Sequence, residues 1–67
     1  MKVDTTNYRE THGTAPKGTA MWSFSICRNG AWTTFTPGVE MKLADAKKLA
    51  ISEAKLLGAD FVQVDDE

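Results

Sequence analysis

His12 and Cys27 are the single histidine and the single cysteine of the chain, and between them they limit the chemistry its side chains can offer. Histidine is the usual general base near neutral pH and a thiolate is a strong nucleophile, but each needs a rigid neighbour to orient it or tune its pKa. His12 falls in an opening rich in Thr, Gly and charge, with no periodic pattern to hold it, and reads as a solvated side chain. Cys27 ends the run "SFSIC" with no base placed beside it, and reads as an ordinary strand cysteine. One of each is too few for a metal-ligand cluster or a disulfide. The stretch "GAWTTFTPG" holds two glycines, but it follows a turn rather than joining a strand to a helix N-terminus, so it is no phosphate loop. These residues predict a protein that is not an enzyme, with no catalytic residue, no cofactor and no bound metal.

Charge narrows the partners. The chain of 67 residues carries a formal net charge of −1, made of +2 over residues 1–36 and −3 over residues 37–67. A polyanion is bound chiefly through clustered Lys and Arg, and no such cluster is present. The acidic close, Asp65-Asp66-Glu67 with Asp60 upstream, has two readings: a small phosphate mimic, or a device that keeps a terminus soluble. The opening residues lack the apolar core of a secretory signal, and no run of about 18 apolar residues exists to span a bilayer. A lone thiol suits a reducing compartment. A soluble, cytoplasmic protein with no membrane contact is expected.

The elements that must position any functional residue are legible from about residue 19 onward. Asn29-Gly30 between two apolar and β-branched runs is a strong hairpin signal. A two-residue turn there pairs Arg28 with Ala31, Cys27 with Trp32, Ile26 with Thr33, Ser25 with Thr34 and Phe24 with Phe35. That register gathers Trp22, Phe24, Ile26, Thr33 and Phe35 on one face, and Met21, Ser23, Ser25, Cys27, Trp32, Thr34 and Thr36 on the other. Pro37-Gly38 ends the second strand. From Leu43 to Leu57 a helical stripe of Leu43, Ala46, Ala50, Ala54 and Leu57 follows, with Leu49 and Ile51 at its margins and Gly58 as its stop. Its small alanines suit the bulky Trp22, Phe24 and Phe35 of the sheet. "ADFVQVDDE" reads as a last strand with Val62 and Val64 turned inward.

The expected fold is therefore α+β: a three-stranded antiparallel sheet with one helix packed on one face, in the order strand, strand, helix, strand. A crossover through the helix sets the last strand beside the first, giving spatial order two, one, three. This forms a single small domain over residues 19–67. Residues 1–18 offer too few apolar side chains to offset the entropy of ordering and are expected to be a flexible, disordered tail. Tyr8 and Arg9 are the one place in it where an extra strand could form.

Trp32 then lands on the face that the helix leaves uncovered, joined by Phe61 if Val62 points inward. Two readings stand side by side. The indole covers the hairpin's outer surface, packing on Cys27 and Met21, or it anchors a binding patch with Arg28 at the turn and Thr34 on the rim, since Trp and Arg are enriched at binding hot spots. A stacking platform for single-stranded nucleic acid is a further alternative, but it usually needs a positive groove. Trp32, Arg28, Thr34 and Phe61 are the candidate partner-binding residues.

Two resemblances add to this. The run "MWSFSICRNGAWTTFTPGVEMKLADAKKLA" resembles the N-terminal arm-site DNA-binding domain of phage integrases, with Trp22, Gly30, Gly38 and "LADAKKLA" at matching positions. That resemblance implies DNA binding, although those domains present several basic side chains where this hairpin has Arg28. From Met21 to the end the chain is similar to small coliphage inhibitors of the host RNA polymerase, through Met21-Trp22 opening a strand, Asp45-Ala46 opening the helix and Phe61-Val62 in the closing strand. This second resemblance implies a stoichiometric inhibitor that binds a host protein through a strand edge or exposed face. The leading expectation is a noncatalytic protein-binding module, a phage or prophage regulator of a host protein. The alternative is an accessory protein that binds nucleic acid through the exposed sheet face. Either would act as a monomer or as a weak homodimer paired through an open strand edge.

Overall fold

The computed structural model describes residues 3–65. Its elements in chain order are β1 (Val3–Asp4), α1 (Thr6–His12), β2 (Thr19–Ala20), β3 (Phe24–Arg28), β4 (Ala31–Phe35), β5 (Met41–Lys42), α2 (Leu43–Leu57) and β6 (Phe61–Val64). Asn29 and Gly30 both take positive φ, 50° and 82°, the left-handed pair that a tight hairpin turn requires. The turn fixes the β3–β4 register from Arg28↔Ala31 to Phe24↔Phe35, as the sequence predicts.

α2 is also as expected. Ala46, Ala50 and Ala54 are fully buried and form one core with Trp22, Phe24, Ile26, Leu43, Ala59, Val62 and Val64. Small side chains on the helix let its backbone approach the sheet, and Phe24 and Trp22 fill the space that a larger helix residue would take. Phe35 and Leu57 are half-buried at the border of this core. Thr33 and Leu49 stay exposed, because β4 is the edge of the sheet and Leu49 lies off the stripe. Lys42 at the helix start supplies no capping side chain. The first orphan donor, the Leu43 N–H, is instead taken by the carbonyl of Gly18 at 3.0 Å. Gly58, at φ 72°, closes the other end, where the Ala59 N–H donates back to the Ala54 carbonyl at 2.8 Å.

The sheet departs from expectation in two ways. It has four strands in the order β1-β6-β3-β4, and β1 runs parallel to β6, so it is mixed rather than three-stranded and antiparallel. Within it, β4, β3 and β6 hold the expected order, with β3 antiparallel to both neighbours. A separate antiparallel ribbon joins β2 to β5.

The second departure concerns residues 3–18, which are not a loose tail. Val3 pairs with Val62 across β1–β6, and Val3 and Tyr8 are half-buried against the core. The extra strand falls on Val3–Asp4, while Tyr8 lies on α1, where its ring stacks on His12 at 4.1 Å and meets Trp22 at 5.9 Å. Pro16 is buried as well. Order here comes from docking onto an open strand edge and an indole, which composition alone does not report.

Two residues before the first residue of α1, the Asp4 carboxylate accepts the Thr6 N–H at 2.7 Å. That hydrogen bond favours the charged form and holds the carboxyl below its ordinary value of 3.8. A group with a depressed folded pKa adds stability that is fully present above the unfolded value and is lost as pH falls through the folded one. The Asp4 titration followed by NMR should therefore have its midpoint below 3.8, with the first-turn amide signals of α1 shifting over the same range. A midpoint at or above that value would remove the contact.

Candidate binding face

Side chains alternate between the two faces of a sheet, so the core-facing residues of β3 and β6 leave Ser25, Cys27, Phe61 and Gln63 on the side away from α2. Registers on both sides of β3 then define rows across this face. Trp32 and Phe61 are both opposite Cys27, one on each flanking strand. Their rings meet beside it with centroids 5.8 Å apart and planes at 88°, the edge-to-face geometry that aromatic quadrupoles favour. The next row runs Thr34, Ser25, Gln63 and Asp4.

At the Ser23–Ser25 end the face is tied down by Asp65. The Ser25 hydroxyl donates to Asp65 Oδ1 at 2.6 Å, and the Ser23 hydroxyl to Oδ2 at 3.2 Å. The Asp65 N–H also donates to the Ser23 carbonyl at 2.9 Å. Asp65 is thus an internal acceptor that fixes the end of β6 rather than a free acidic terminus. Asp60 is exposed, and Asp66 and Glu67 lie outside the described residues.

Of the predicted site residues, Trp32, Thr34 and Phe61 come together on this face. Trp32 is 56% exposed although its ring is held by Phe61. Arg28 is exposed at the turn, but strand alternation groups it with Phe24 and Ile26, on the helix-bearing side. Reading the sequence alone missed the Asp65 acceptor. The signal for it was the spacing by two of Phe61, Gln63 and Asp65, once β6 is known to lie beside β3.

The other tryptophan has the opposite fate. Trp22 is buried, its indole N–H donates to the Met41 carbonyl at 3.1 Å, and it backs an open cleft of about 290 Å³ lined also by Met21, Ser23, Thr36 and Gly38. Cys27 is a half-buried free thiol, paired in the ladder with Trp32 on one side and Phe61 on the other, and His12 is on α1, stacked on Tyr8. Among the described residues no group of three or more His, Cys, Asp or Glu could hold a metal ion, and no helix is long and apolar enough to cross a membrane. Compared with models of protein families, with curated proteins and with solved structures, the chain finds no match.

Proposed function

We propose that the chain is a small noncatalytic protein-binding module that docks through the helix-free face of its sheet. The observation that carries this reading is Trp32: more than half exposed, yet oriented by an edge-to-face contact with Phe61. An aromatic anchor already held in place loses little rotamer freedom on binding, so more of its burial counts toward affinity. Thr34 and Gln63 supply a neutral polar rim in the next row. A phage or prophage regulator that inhibits a host protein is the form of this role implied by the resemblance of residues 21–67. The ladder rows on this face contain Asp4 and no Lys or Arg, which disfavours nucleic acid, since that partner binds largely through phosphate neutralisation.

Trp32→Ala is expected to weaken capture of the partner about tenfold or more, roughly 1.4 kcal/mol. The thermal transition should move little, because the ring is not part of the core. Arg28→Ala should have the smaller effect. Pull-down from host lysate with and without nuclease, followed by titration of the recovered protein, checks both. Recovery of nucleic acid alone, or equal binding by wild type and Trp32→Ala, would sink the reading.

A further inference from the structure

β4 is one edge of the four-stranded sheet, and its backbone orientation follows from the ladder. A two-residue hairpin makes the residues flanking the turn a hydrogen-bonded pair, so Arg28↔Ala31, Ile26↔Thr33 and Phe24↔Phe35 exchange bonds within the hairpin. The other side of β3 agrees with this phase, because the Cys27 and Ser23 carbonyls accept from Asp60 and Asp65 in the β6 direction. Trp32 and Thr34 therefore aim their N–H and C=O groups outward, where the sheet has no further strand.

Edge strands are usually guarded by a charge, a proline or a bulge. β4 reads Ala31-Trp32-Thr33-Thr34-Phe35, with none of these within it, and its first four residues are exposed. The opposite edge, β1, is only two residues long.

We propose that β4 is the seam of a homodimer, in which it pairs antiparallel with β4 of a second copy about a two-fold axis through Thr33. That centre gives full overlap of the strand and satisfies the hydrogen-bond phase: Trp32 of one copy exchanges both bonds with Thr34 of the other, and Thr33 faces Thr33. It also sets large against small, Phe35 opposite Ala31 and Trp32 opposite Thr34. A two-fold axis brings each group near its own copy, so an uncharged strand is the kind that can pair with itself without repulsion. A second copy is thus the occupant that this sequence fits. The two four-stranded sheets become one, and both Trp32 rings lie on the same face, diagonal across the axis. Trp32 and Thr34 serve in both proposals: their backbone groups form the seam, while their side chains stay on the face proposed for docking.

Sedimentation equilibrium of the full chain over micromolar to millimolar concentration should show a monomer–dimer equilibrium. Thr33→Lys and Thr33→Glu, each placing like charges across the axis, should each weaken it by about three- to tenfold. Mixing the two should restore a heterodimer at least as tight as wild type. Thr34→Pro removes only an outward donor and should weaken dimerisation at least about tenfold, with the circular dichroism spectrum retained. A wild-type chain that stays monomeric to millimolar concentration overturns the proposal. So does a dimer that is indifferent to Thr33→Lys and Thr34→Pro, or a Lys and Glu pair that fails to recombine.

Discussion

Phe24→Ala is expected to leave the chain unfolded at 25 °C. Phe24 is fully buried in the middle strand of its sheet neighbourhood, paired with Phe35 on one side and Val64 on the other. Its ring lies 6.5 Å from that of Phe35, and it shares one core with the three buried alanines of α2. Those alanines have no side-chain atoms with which to refill the space, so the cavity would stay open. Truncating a buried Phe costs about 3–5 kcal/mol, whereas a core in a chain this short supplies only about 3–5 kcal/mol in total. The loss therefore matches the whole stability. Urea titration followed by far-ultraviolet circular dichroism should show no folded baseline for the variant. A cooperative transition that survives with a loss below about 2 kcal/mol, less than a buried Phe is worth, would mean that the core is not keyed on this ring.

Much of that core can be read in the chain because local rules and tertiary packing agree there. Asn29-Gly30 is a turn short enough to dictate which residues pair, and so it sorts Phe24 inward and Trp32 outward without knowledge of anything else. The alanine stripe between Leu43 and Gly58 has a length and period that only a helix satisfies. The contact between Trp32 and Phe61 is a different matter. It depends on how β6 aligns with β3 after the chain has passed through α2, and no turn sets that alignment. Asp65 stayed illegible for the same reason: its acceptor role needs Ser23 and Ser25 to lie beside it, and they are about forty residues away, 42 and 40. The β2–β5 ribbon, made of two-residue strands, has no period to detect.

The N-terminal segment is where local reasoning failed, and it supports the second large effect. α1 has seven residues, too few to persist on intrinsic propensity, so its order depends on what it touches. Deleting residues 1–13 removes the Val3–Val62 pairing, the Tyr8 cover over Trp22 and the Asp4 contact together. Full burial of such side chains is worth about 1.5–3 kcal/mol each, so two half-buried ones give about 1.5–3 kcal/mol in all. Against the stability of about 3–5 kcal/mol estimated above, that is about half of what the fold possesses. In a Trp32→Phe background, where Trp22 is the remaining indole, the deletion should lower the urea midpoint and shift the emission to the red as Trp22 meets water. Tyr8→Ser should reproduce part of the emission shift with β1 still in place. If the deletion leaves both midpoint and emission unchanged, residues 3–13 do not dock on the sheet. β6, not β1, is then the true edge opposite β4, and the chain has a second open strand for partners to join.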